Sequence, residues 1–164
     1  MFIKKLVYII LFCSAICHGQ TTEFDAMIDS TLQKTVPFIT SDNLLENYEN
    51  YTILDSREIN EYNISHLKKA IHVGYDNFNM NTTSKKLSLN TPIVVYCSVG
   101  YRSEKIAEKL IKKGYKVYNL YGGIFEWKNK KNTVINTSNI ETNKVHCYNE
   151  EWSKWLVNGE KVYD

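Results

Sequence analysis

A short apolar run, Ile93-Val94-Val95-Tyr96, leads directly into Cys97-Ser98-Val99-Gly100-Tyr101-Arg102-Ser103 and then into a segment of helical periodicity. No other stretch constrains the fold as tightly. The run is β-branched, follows Asn90-Thr91-Pro92, and reads as a buried strand. Beyond the loop, Ile106, Ala107, Leu110 and Ile111 share one helical face, and Lys112-Lys113-Gly114 supplies terminal cations and a glycine cap, so a helix is predicted over 103–113. A thiol placed in such a turn faces helix-terminal N–H groups that have no intrahelical partner, and the positive end of the helix dipole. That setting favours the thiolate, the nucleophilic form of cysteine. The structural alternative, a cysteine merely buried at a strand end, leaves Gly100 and Arg102 unexplained.

The same alternation runs along the chain. Phe24, Met27, Ile28 and Leu32 mark a short amphipathic helix that Pro37 closes. A first strand is read at 38–40, and Ser41 is the expected N-cap of a turn carrying Leu44, Leu45 and Tyr48. The next strand, 51–54, delivers Asp55, Ser56 and Arg57 at its carboxyl end. A short helix at 58–62 and a strand at 70–73 follow, then a polar, poorly patterned stretch at 74–89. The series closes with the strand leading to Cys97, the helix after it, and a strand at 115–120. Strands alternating with helices imply an α/β fold, a parallel central sheet flanked by helices on both faces. Ligands of such sheets bind at the carboxyl ends of the strands, where Cys97 and Asp55 both fall. The tail at 129–143 reads as a polar loop, 144–148 as a small strand and 150–157 as a helix carrying Trp152 and Trp155. That pair reads either as core cover or as the rim of a cleft. Lys128, Lys130 and Lys131 read as solvated loop.

The N-terminus has the shape of a secretory leader: Lys4 and Lys5, an apolar stretch from 6 to 16, and a cleavage site at Cys17-His18-Gly19. The apolar part is short for a membrane span, so an exported product, periplasmic or secreted, ranks ahead of an anchored one. The division expected is a leader at 1–19, a helical extension at 20–36, a domain at 37–128 and a C-terminal extension at 129–164 packing on it. The 20 basic and 18 acidic residues give +2; removing Lys4 and Lys5 leaves a balanced chain with no basic stripe for nucleic acid. Of four cysteines, only Cys97 and Cys147 lie beyond the leader, too few for a disulfide framework. Cys147 is either a resolving partner for Cys97 or a buried bystander. No spaced Cys/His cluster suggests a metal, and no cofactor is called for.

Four segments in order resemble the rhodanese-like domain of single-domain sulfurtransferases. They are Ile53-Leu54-Asp55-Ser56-Arg57, the stretch from Glu61-Tyr62 through His66-Leu67 to Ala70-Ile71-His72-Val73, the 97–103 loop, and Leu120-Tyr121-Gly122-Gly123-Ile124-Phe125-Glu126-Trp127. Ser65 and Lys69 stand where the family commonly has glycines beside the histidine. The resemblance implies that Cys97 takes a sulfane sulfur from a small donor, such as thiosulfate or polysulfide, or from a protein persulfide, and passes it to a thiophilic acceptor. Backbone N–H groups of Ser98, Val99, Gly100, Tyr101, Arg102 and Ser103 would then cradle the charged sulfur as an anion nest, with Gly100 letting the backbone bend. Arg102 either steers an anionic donor or braces the loop. Asp55 reads as structural, Arg57 as a substrate contact at the cleft mouth, and His66 and His72 as satisfied structural histidines. Related cysteine phosphatases place five residues between Cys and Arg; the four here make a tighter cradle, suited to a single sulfur atom. The alternative function is a non-catalytic module for docking or for redox or persulfide sensing.

Overall fold

The computed structural model describes residues 22–164; the leader, with Lys4, Lys5, Cys13 and Cys17, lies outside the described residues. Five strands form the central sheet: β1 (Phe38–Ile39), β2 (Thr52–Asp55), β3 (Ile71–His72), β4 (Ile93–Tyr96) and β5 (Val117–Leu120). All pair in parallel, in the order β1-β5-β4-β2-β3. β4 is buried along its whole length, which is why its sequence is a continuous apolar run rather than an alternating one. Thr52 lies opposite Ile93 and Asp55 opposite Tyr96, so β2 and β4 end level and deliver their next residues to the same place.

Helices cover both faces, as the alternation predicts. α1 (Glu23–Thr31), α2 (Ser41–Glu46) and α6 (Gly123–Asn129) send Ile28, Leu44 and Phe125 into one cluster with Val94 and Tyr96. On the other face α5 (Tyr101–Ile111) packs Ile106, Ala107 and Leu110 against Leu54, Ile93 and Val95. The two short helices between them are α3 (Ile59–Ile64) and α4 (Met80–Ser84), the latter inside the stretch that reads as unpatterned.

Several local expectations shift. Leu32 already leaves α1 in an extended conformation, so Pro37 does not close that helix. The link between them is held instead by the buried Glu104 carboxylate on α5, which accepts from the Gln33 amide at 3.0 Å and the Thr35 amide at 2.9 Å. Thr40, not Ser41, caps α2, its hydroxyl accepting from the Asn43 amide. α5 begins at Tyr101 rather than 103, because Gly100, at φ +120°, makes the turn in a single residue. Lys128 is not solvated loop: it is buried on α6, with Nζ 2.9 Å from the Asn143 side-chain oxygen. Nor is 129–143 a plain loop, since β6 (Val134–Ile135) and β7 (Glu141–Thr142) form an antiparallel pair there. β8 (Lys144–His146) pairs in parallel with β9 (Glu160–Val162), and α7 (Glu150–Ser153) lies between them, shorter than the pattern implies. Among the described residues, no helix is long and apolar enough to cross a membrane.

Candidate active site

The loop after β4 is held from behind by α6. Gly122 and Gly123 both take positive φ, which turns the start of α6 so that the Ile124 and Phe125 amides donate to the Cys97 and Ser98 carbonyls at 2.9 and 3.1 Å. A Cβ on Gly123 would lie 2.3 Å from the Cys97 carbonyl oxygen, so only glycine permits this approach. Helix-terminal donors thereby occupy the Cys97 and Ser98 carbonyls and fix the back of the loop.

At the sulfur, the Gly100 N–H donates to Cys97 Sγ at 3.1 Å, the backbone donor that the strand–turn–helix pattern anticipates. Ser103 Oγ lies 3.6 Å from Sγ, and also 2.7 Å from Asn119 Oδ1, to which its single proton has the shorter path. Asn119 Nδ2 donates to the Gly100 carbonyl at 2.9 Å, locking the turn. Nothing in the sequence reading singled out Asn119. Its signal is an amide within an otherwise apolar strand, fully buried and therefore in need of partners.

Arg102 sits on the first turn of α5 and reaches back to Glu61 on α3. Its Nη1 and Nη2 donate to the two carboxylate oxygens at 2.6 and 2.9 Å, and Nη2 also reaches Ser98 Oγ at 3.0 Å. Burial pushes the Glu61 carboxyl up, but the hydrogen bonds and charge of Arg102, with the charge of Arg57 behind it, hold it below the ordinary carboxylate range. Of the two readings of Arg102, this geometry matches the brace. Glu61 has no assigned role in the sequence reading, since its partner lies 41 positions away.

Cys97 is only 1 % exposed, yet it lines a cavity of about 320 Å³. Ser98, Val99, Tyr101 and Arg102 of the loop region share the lining with Glu58, Tyr75 and Asp76, and with Tyr148 and Trp152 from the C-terminal segment. The Arg102 guanidinium carbon stands 5.3 Å from the Tyr148 ring centroid. Of the tryptophan pair, Trp152 both packs on the core and borders the cavity, while Trp155 meets Phe24 edge to face. Cys147 is fully buried in that core, does not line the cavity, and burial raises its thiol pKa.

Arg57 departs from its expected place at the cleft mouth. It is completely buried, with Nε and Nη2 on the Asp55 carboxylate and Nη2 also 2.6 Å from the Ser65 carbonyl. Tyr96 completes the cluster by donating to Asp55 at 2.6 Å and accepting from the Leu67 amide. Asp55 draws Arg57 inward because an uncompensated buried charge costs far more than a paired one. The two histidines are partnered within the fold: His66 Nδ1 lies 3.0 Å from the Tyr62 carbonyl and stacks on that ring, and His72 Nε2 lies 2.8 Å from the Arg57 carbonyl.

A family model for the rhodanese-like domain matches residues 40–130. The tRNA uridine(34) hydroxylase of Pelagibacter ubique is 39% identical over 87 residues, which are 52% of this chain but only 29% of that protein. Thiosulfate sulfurtransferase GlpE of Coxiella burnetii is 34% identical over 77 residues, 46% of this chain and 70% of that one. Among solved structures, a rhodanese-related protein from Thermoplasma volcanium superposes with a TM-score of 0.56 at 27% identity, covering 60% of this chain and 97% of that one. The family match takes in more than half the chain and spans β2 to β5 with the cysteine loop between them, so the chain belongs to the rhodanese-like domain family.

Proposed function

We propose that this protein is a sulfurtransferase that carries a sulfane sulfur on Cys97. The observation that carries the reading is the placement of Cys97 Sγ: it accepts an N–H from Gly100 at 3.1 Å at the head of α5 and borders a cavity. In the first half-reaction the Cys97 thiolate attacks the outer sulfur of the donor. The S–S bond of the donor breaks, its electron pair leaves with the donor's remaining group, and Cys97 becomes a persulfide. An acceptor thiolate or cyanide then attacks that outer sulfur, and the bond pair returns to Cys97 as thiolate. No external oxidant or reductant is needed. The terminal sulfur carries negative charge, which the Gly100 N–H, already on Sγ, and the neighbouring amides of the loop would stabilise. Arg102 braces the loop through Glu61 and Ser98 rather than binding the donor. The named activity of the Coxiella burnetii relative supports this reading. The leader read at 1–19 adds that the reaction runs outside the cytoplasm.

The test uses the purified protein and Cys97→Ser. After incubation with polysulfide or thiosulfate, intact-mass measurement is expected to find one added sulfur atom on the wild type and none on the variant. Cyanide then releases thiocyanate from the wild type only. Equal inertness of the two proteins towards every donor would leave the docking or sensing module as the correct reading.

A further inference from the structure

If Cys97 does carry sulfur, the cavity around it also selects the donor. Arg102 is the only cation among the lining residues, and both of its terminal nitrogens are committed to Glu61 at 2.6 and 2.9 Å. That pair is neutral as seen by a ligand. The other charged lining groups are the carboxylates of Glu58 and Asp76. Glu58 Oε1 accepts from the Tyr75 and Asp76 amides at 3.3 and 3.2 Å, which fixes its charge beside the opening, and Asp76 is exposed. The remaining large surfaces are aromatic: Tyr75, Tyr101, Tyr148 and Trp152.

A cavity bordered by two carboxylates, one held by backbone amides and one exposed, and neither in an ion pair among the described residues, repels a dianion and attracts a cation. The aromatic lining adds to that preference, since a ring quadrupole holds ammonium groups and rejects oxyanions. We propose that the donor is a small organic persulfide bearing an ammonium group, with Glu58, Asp76 and Trp152 as the residues that set this specificity. In the transfer, Cys97 takes the outer sulfur, the S–S bond pair departs with the aminothiol sulfur, and the persulfide proton passes to that leaving thiolate. Thiosulfate is accordingly a poor donor for this site.

The test compares persulfides of cysteamine, 2-mercaptoethanol and 3-mercaptopropionate, which share one spacer and differ in their terminal ammonium, hydroxyl or carboxylate, with thiosulfate alongside. The readout is the initial rate of sulfur gain at Cys97. Ammonium is expected to load fastest and carboxylate and thiosulfate slowest, on the order of tenfold apart, with the spread shrinking as salt rises. Asp76→Lys, at an exposed position, is expected to cut the ammonium-to-carboxylate ratio by roughly threefold or more. The proposal is overturned if the carboxylate persulfide or thiosulfate loads as fast as the ammonium one, or if Asp76→Lys leaves the ratio unchanged. Absence of loading from any donor is a separate result, which overturns the sulfurtransferase reading itself.

Discussion

At Arg102, the charge that a loop sequence alone would lend to an anionic donor is taken up by a carboxylate 41 positions earlier in the chain. Glu61 is almost fully buried and holds the guanidinium by two short hydrogen bonds, with Ser98 Oγ completing the triangle. Glu61→Gln keeps the shape and one acceptor but removes the countercharge from a partly buried cation. The expected cost is about 1–3 kcal/mol of stability. The freed guanidinium also speeds sulfur loading from thiosulfate severalfold while leaving Cys97 in place. The pH dependence has a definite sign. Folding depresses the Glu61 pKa below its ordinary 4.5, so the associated stability is full above that value and is lost as pH falls through the folded-state pKa. Denaturant unfolding below pH 4.5 is therefore expected to show a shallower loss for Glu61→Gln than for the wild type; parallel losses would remove Glu61 as the source. Cys97 was legible from sequence because strand, glycine and helix are all local to it. Arg57 was not, because its burial depends on Tyr96 and Ser65 closing over it through the fold, and Glu61 was not, because its partner is remote.

Among the elements, α6 is the one that sets the loop's shape, through amides placed by consecutive glycines. Gly123→Ala would put a Cβ within 2.3 Å of the Cys97 carbonyl oxygen and 2.6 Å of the Ser98 carbonyl oxygen, at a residue already at φ +55°. Backbone atoms cannot step aside as a flexible side chain can, so the loop or the helix must move. The expected loss is about 2–4 kcal/mol, with sulfur loading of Cys97 falling in parallel. Gly114→Ala provides the comparison: its φ of +89° also disfavours a side chain, but nothing lies within 4 Å of the added atom. That change is expected to cost about 1 kcal/mol and to leave loading intact. If thermal unfolding and loading respond alike to both substitutions, the close approach of α6 is not what shapes the loop. The strands and α5 were readable because apolar runs and helical spacing persist over their lengths. α6 escaped because it opens on two glycines, weak helix formers, and is only seven residues long, and the β6–β7 pair because its strands of two residues are too short to show a period.

On the scale of the whole molecule, the segments flanking the family-matched region belong to its core. Phe24 of α1 meets Trp155 at 6.0 Å edge to face, so the two flanks touch each other. Leu32 stands behind Gly100, where an added Cβ would come within 3.1 Å of it, and Glu104 pins the link that follows. From the other end of the chain, Val145, Cys147 and Leu156 are 0 to 1 % exposed and share one cluster with Val94, Tyr96 and Phe125. The sequence left Trp152 and Trp155 as core cover or cleft rim, and Trp152 does both, but nothing in the spacing of Tyr148 says which end of the sheet it reaches. A segment that contributes to the main core must unfold with it. Leu156→Ala is therefore expected to cost about 2–4 kcal/mol, the usual penalty for truncating a fully buried leucine. It lowers the denaturant midpoint without changing the slope, and circular dichroism and tryptophan fluorescence move together through a single transition. The alternative, an appendage that opens independently, makes a different forecast: the circular dichroism midpoint stays at the wild-type value while the fluorescence of Trp152 and Trp155 changes at lower denaturant. Separation of the two probes would show that the C-terminal segment covers the site without sharing the stability of the sheet.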